Sequence, residues 1–157
     1  MKKTISLILF IFWLGLIFYL SHQPSEVSEE TSRIFVDFFV KALNFINIQV
    51  EVETLSFLVR KMAHFFLYFV LGVLTLNLVQ QYQIYADLKS QIVLALLFCV
   101  FYATTDEIHQ IFIPGRSGEI SDVLLDSLGS ISGIFLMVKW QAYGIIKKGG
   151  YDGSKSS

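Results

Sequence analysis

The chain has 157 residues, enough for one domain, and 54% hydrophobic and 15% aromatic content with only 16% charge sets it apart from an average soluble protein and fits a membrane protein. Its formal net charge is −1, and it has no basic block beyond Lys2-Lys3 and Lys147-Lys148, so nucleic acid is excluded as an expected partner. The lone Cys99 sits among Leu97, Phe98 and Val100; it has no partner for an internal disulfide and reads as a buried apolar thiol rather than a reactive one.

Lys2 and Lys3 precede an apolar run, 5–20, whose only polar member is Ser6. A signal peptide is one reading. Against it, no small-x-small cleavage site follows Tyr19-Leu20-Ser21-His22-Gln23-Pro24, and the run is long for a signal core. We therefore expect a retained membrane helix over about 4–21, its lysines cytoplasmic by the positive-inside rule. Segment 26–53 then alternates charges (Glu29, Glu30, Arg33, Asp37, Lys41) with Ile34, Phe35, Phe38, Phe39, Ala42, Leu43 and Ile46 at helical spacing. An amphipathic or interfacial helix over about 26–47 is expected there, either a solvated connector with one apolar face or a lid over the mouth of a bundle.

The second membrane helix is expected over about 55–79. Its purely apolar part, 65–76, is too short to cross a hydrocarbon core that needs about 20 residues, so Arg60, Lys61 and His64 must fall near one interface. Lys61 and His64 are three apart and Arg60 and His64 four apart, which lets them share a face with Tyr68 one turn on. Snorkelling to the headgroups is the plain alternative for Arg60, whereas Lys61 and His64 together suggest a bundle-facing site. A polar loop, 80–90, leads to a third helix over about 91–110, whose last turns carry Tyr102, Asp106 and His109 as one stripe. Ile113-Pro114-Gly115 ends it, because the residue before proline disfavours helix and glycine permits reversal. The fourth helix, about 121–140, aligns Asp122, Asp126, Gly129 and Gly133. Its Gly129-x-x-x-Gly133 spacing allows close approach of a neighbouring helix. The membrane domain is thus expected over 1–148, followed by a polar tail, 149–157.

With four helices alternating in direction, the start of the second, the end of the third and the start of the fourth meet at one surface. Lys2, Lys3, Lys89, Lys139, Lys147, Lys148 and Lys155 would lie inside, against Arg33, Lys41, Arg60, Lys61 and Arg116 outside, a weak bias that grows if the last three are functional. The expected architecture is all-α, an integral membrane four-helix bundle with both termini cytoplasmic. Asp and Glu have short stems and reach an interface poorly, so acidic residues at membrane depth mark a functional interior.

The segments Arg60-Lys61-x-x-His64-Phe65-x-x-Tyr68, Asp106-Glu107-x-His109-Gln110-x-Phe112-x-Pro114-Gly115-Arg116 and Asp122-x-x-x-Asp126-x-x-Gly129-x-x-x-Gly133 resemble the VanZ-like membrane protein family, as does Ser21-x-Gln23-Pro24. The resemblance implies a bacterial integral membrane protein, linked in some members to glycopeptide (teicoplanin) tolerance. Three uses of the cluster are open. In the first, an anionic lipid or lipid-linked cell-wall precursor is bound by Arg60, Lys61, Tyr68, Gln110, Arg116, Asp122 and Asp126. His64, Asp106, Glu107 and His109 would then supply acid and base chemistry. In the second, a divalent cation, Mg or Mn rather than Zn, is held by Asp106, Glu107, His109, Asp122 and Asp126. In the third, Arg116 or Lys61 pairs with Asp126 or Asp106 and the charges are structural. No cofactor beyond that cation is expected, and the oligomeric state is left open.

Overall fold

The computed structural model describes residues 2–45 and 47–152. They form five helices: α1 (Lys2–Ser21), α2 (Ser25–Phe45), α3 (Val52–Tyr82), α4 (Leu88–Gln110) and α5 (Ile120–Asp152). Among the described residues there is no strand. Four stretches are long and apolar enough to cross a membrane, namely Lys3–Ser21, Val52–Tyr82, Leu88–Gln110 and Ile120–Tyr143. The expected all-α four-helix membrane bundle is the observed architecture, with α2 as the additional helix between the first two spans.

The helices outrun the sequence-based bounds where polar residues find partners. Gln80 and Gln81 sit in the last turns of α3 rather than in a loop. The Gln80 Nε2 donates to Gln141 Oε1 at 3.2 Å and Gln141 Nε2 returns a bond to Gln80 Oε1 at 2.8 Å. Gln81 is tied to Ser6 on α1 and to Asn77. Each cross-helix bond in a bundle of this kind contributes about 0.6 kcal/mol. At 31 residues, α3 is about 46 Å long at 1.5 Å per residue, well over the ~30 Å hydrocarbon core. The loop shrinks to 83–87, with Gln83 left-handed at φ 52° and Asp87 capping α4 through a 2.7 Å bond from Ser90 N. That bond holds the Asp87 carboxyl below its ordinary range. Helix α5 runs on to Asp152, so the expected tail, 149–157, overlaps its end. Residues 153–157, like Met1 and Ile46, lie outside the described residues.

Helix α3 is the hub. Tyr68 and Leu71 pack with Ile17, Cys99 and Ala103 in one core cluster, and Leu76 packs with Ala95 and Ile134 in another. Cys99 is fully buried, as its apolar neighbours suggest. The closest approach is between α3 and α5. A Cβ on Gly72 would stand 2.5 Å from the Ser130 carbonyl oxygen, and Cβ atoms on Gly129 and Gly133 would collide with the carbonyls of Phe65 and Phe69. Ser130 Oγ donates to Tyr68 O at 3.2 Å across the same seam. The small-residue stripe of α5 is therefore a backbone-to-backbone contact.

Helix α2 buries Val36 but leaves Ile34, Phe38 and Phe45 exposed. A helix with unburied aromatics on one side and charges on the other suits the membrane interface. Its N-terminus is anchored on the turn after α4, where Ser25 N donates to Pro114 O at 3.3 Å and Gly115 turns at φ 72°. Gly133→Ala should lower the thermal or denaturant midpoint of detergent-solubilised protein by the equivalent of about 1–3 kcal/mol, the usual cost of overpacking. Gly15→Ala is the control: its Cβ would meet nothing within 4 Å, so stability should hold or rise slightly.

Candidate functional site

The α3–α5 seam brings the first turns of α3 against the first turns of α5, and the last turns of α4 meet them there. One donor atom each from His64, Asp106, Glu107 and Asp126 lies within 4.8 Å of the others. The three carboxylates are buried, Asp126 completely (0% exposed). His64 Nδ1 stands 3.6 Å from Asp126 Oδ2, near enough for charge attraction but too far for a hydrogen bond. Both Asp126 oxygens, Asp106 Oδ2, Glu107 Oε1 and His64 Nδ1 have no hydrogen-bond partner among the described residues. Neither do the adjacent Tyr68 hydroxyl, Ser21 Oγ and Gln110 Nε2. Leaving so many buried polar atoms unpaired is costly, at about 1–3 kcal/mol for each neutral group and more for each charged one.

Two cavities reach His64, and the first also reaches Asp106. One, of about 250 Å³, lies beneath α2 and is walled mainly by apolar groups, among them Ile17, Leu20, Phe35, Val59 and Leu67; His64, Tyr68 and Asp106 form its polar end. The other, of about 330 Å³, is polar and lined by Lys61, Gln110, Ser117, Glu119 and Asp122. Arg60, His64 and Arg116 line both. Helix α2 contributes Ser28, Thr31, Ser32 and Phe35 to the first wall.

The cations around the quartet are already engaged to different degrees. Lys61 Nζ bonds Asp122 and, at 3.1 Å, Glu119. Arg60 makes one exposed 3.4 Å contact with Glu29, an arrangement of little energetic weight. Arg116 donates from Nε to Gln23 O at 3.1 Å and from Nη2 to Leu20 O at 3.4 Å, satisfying carbonyls at and just beyond the C-terminus of α1. Burial pulls its guanidinium below the ordinary value, yet it remains a cation. Glu107 Oε2 accepts from Glu119 N at 2.9 Å and so holds the start of α5 against α4.

His109 lies elsewhere. Its ring stacks on Phe18 at 4.9 Å, and its Nε2 is 3.1 Å from His22 Nδ1, on the α1 side of α4. At 100° per residue the inward arc of α4 is Ala103, Asp106, Glu107 and Gln110, all buried, while Tyr102 and His109 fall on its flank facing α1. Tyr102 OH accordingly donates to Leu14 O at 2.8 Å. Of the expected site residues, the fold thus gathers His64, Asp106, Glu107 and Asp126 most closely. Around them stand Arg60, Lys61, Tyr68, Gln110, Arg116 and Asp122, and His109 is set apart. Lys61 pairs with Asp122 rather than with Asp126 or Asp106. Ser21, His22, Glu29 and Glu119 were not anticipated as part of this region. Ser21 had a signal in the Ser21-x-Gln23-Pro24 pattern, whereas Glu119 sits in a connecting turn without periodicity.

The VanZ/LLP1 family model matches residues 6–142, which reaches into all four spans and includes the whole quartet. The chain belongs to this VanZ-like family. No curated protein sequence and no solved structure matches it. Within the family motif, the Asp106-Glu107 pair and Asp126 form the deep quartet with His64, and Lys61 and Asp122 form an ion pair beside it.

Lys61→Met should destabilise the protein by about 3 kcal/mol, because Asp122 is left partly buried without a counter-charge; adding Asp122→Leu should recover most of that loss. Chemical denaturation in detergent is the readout. Glu119 is held below its ordinary value of 4.5, first by its hydrogen bond from Lys61. Its share of the stability is therefore present at neutral pH and lost as pH falls below about 4.5.

Proposed function

We propose that this VanZ-like protein binds the anionic headgroup of a cell-envelope lipid or lipid-linked cell-wall intermediate. The observation that carries the reading is the pairing of the two cavities: an apolar chamber under α2 and a polar one share Arg60, His64 and Arg116 in their walls. Such a shape suits an amphiphile lying with its chain among Ile17, Phe35 and Leu67 and its charge at the arginines. A guanidinium is well matched to phosphate oxygens, which it can engage with two parallel bonds. Arg60 is the cation with most to give, since its single contact, with Glu29, is weak and exposed.

The weak inside bias of Lys and Arg favours one orientation. With Lys3, Lys89 and Lys139 cytoplasmic, the ends carrying Arg60, Arg116 and Asp122 face outward, in a bacterial cell membrane with both termini inside. An outward site of this type, occupied by a wall precursor, connects the protein to glycopeptide tolerance, and we include that link in the proposal. A purely internal ion-pair network is the competing use of the charges. Lys61, Asp122 and Glu119 fit it, but Asp106, Glu107 and Asp126 have no Lys or Arg partner among the described residues.

Arg60→Glu should reduce the anionic lipid retained through purification by about tenfold, the loss expected for one charge-assisted contact. Mass spectrometry of extracted lipid is the measurement, with circular dichroism to confirm the helical fold. Equal retention of the same anionic lipid by the variant would remove the proposal.

A further inference from the structure

We infer that His64, Asp106, Glu107 and Asp126 form a binding site for a divalent cation of the Mn²⁺ and Mg²⁺ class. This inference concerns the floor of the polar region and stands whether or not a lipid occupies the chamber above it. The four residues come from three helices, α3, α4 and α5, and each presents one ligand atom within 4.8 Å of the rest. Opposite ligands of an octahedral ion of this class, bound at 2.0–2.1 Å, are about 4.2 Å apart. Adjacent ligands of such an ion are about 2.9 Å apart, so binding would draw the four side chains inward from their 4.8 Å limit.

Acidic clusters on protein surfaces are common without metal, but this one is not on the surface. Asp126 is fully buried and neither of its oxygens has a hydrogen-bond partner among the described residues. Asp106 and Glu107, 6% and 4% exposed, each have an oxygen in the same condition. Among the described residues no Lys or Arg reaches them: Lys61 is committed to Asp122 and Glu119, and Arg116 to backbone carbonyls of Leu20 and Gln23. Three carboxylates at this depth are costly to hold ionised, and a dication would offset that cost while taking up the unpaired lone pairs. Three hard oxygens with one nitrogen suit Mn²⁺ or Mg²⁺ better than a soft thiolate-seeking metal.

The ligand set differs from the one the sequence suggests. His64 replaces His109, whose ring is held against Phe18 and His22, and Asp122 drops out because Lys61 occupies it. Glu107 Oε2 is bonded to Glu119 N, which aims the remaining Oε1 at the cluster. His64 and Asp106 also line the apolar chamber, so positions left over on the ion would face it and could take an oxygen of an anionic headgroup. The cation would then reconcile a negative floor with a negative ligand.

The test is titration of chelator-stripped, untagged protein in lipid-free detergent with MnCl₂, followed by electron paramagnetic resonance of free Mn²⁺ and by the melting midpoint. The wild type should bind about one ion per chain with a rise in midpoint. Asp126→Asn should weaken binding by about tenfold or more, since even indirect partners of a metal site cost that much. Its own midpoint without metal should equal or exceed that of the stripped wild type, because the amide removes a buried negative charge; this separates lost binding from lost folding. His109→Ala should bind like the wild type. The inference is overturned if the wild type shows no saturable binding of Mn²⁺ or of competing Mg²⁺, or if Asp126→Asn binds as tightly as the wild type. A lipid-free assay keeps this result apart from the headgroup reading: retained Mn²⁺ binding with no retained lipid sinks only the latter.

Discussion

The contact on which the rest depends is the backbone-to-backbone seam between α3 and α5. Gly129 and Gly133 lie against the carbonyls of Phe65 and Phe69, and Gly72 lies against Ser130. A side chain at any of these glycines would force the helices apart. That seam fixes register as well as distance: His64 adjoins Phe65 on α3, and Asp126 lies three residues before Gly129 on α5. Their 3.6 Å separation is thus a consequence of packing further along the same two helices. The Ser130 bond to Tyr68 O locks the register with a polar tie that has no competing water in the bilayer.

Charge then sorts into two levels. Nearer the surface, Lys61 with Asp122 and Glu119 ties α3 to the start of α5, while Arg60 with Glu29 is an exposed contact of little weight. Arg116 performs a related task by bonding the carbonyls of Leu20 and Gln23, which fastens α1 to the turn before α5. Beneath them, the quartet has more negative groups than its surroundings balance. Structural ion pairing explains the first level and leaves the second without an account. The proposed cation and amphiphile would account for both the unpaired oxygens and the way the two cavities converge on His64.

Much of this was legible in the sequence, and the gaps have physical causes. Four spans and an amphipathic α2 follow from hydropathy and periodicity, and the convergence of Lys61, Asp106 and Asp122 follows from alternating helix direction. The Gly129 and Gly133 stripe announced a close packing face. Helix ends were harder to place, because Gln80 and Gln81 look like loop residues until Gln141 and Ser6 are seen to satisfy them. His109 was misleading for a geometric reason: a position three residues after Asp106 is rotated away from Glu107 and Gln110, and only the placement of α1 decides which flank faces the site. Glu119 carries no periodic signal, and its role depends on tertiary contacts alone.

The central claim is that the buried quartet is a ligand site rather than a closed network. Anomalous diffraction at the manganese edge, from crystals grown with Mn²⁺, addresses it most directly. The account predicts one peak enclosed by His64, Asp106, Glu107 and Asp126. A peak elsewhere, or waters bridging the four side chains with no anomalous signal, would contradict it.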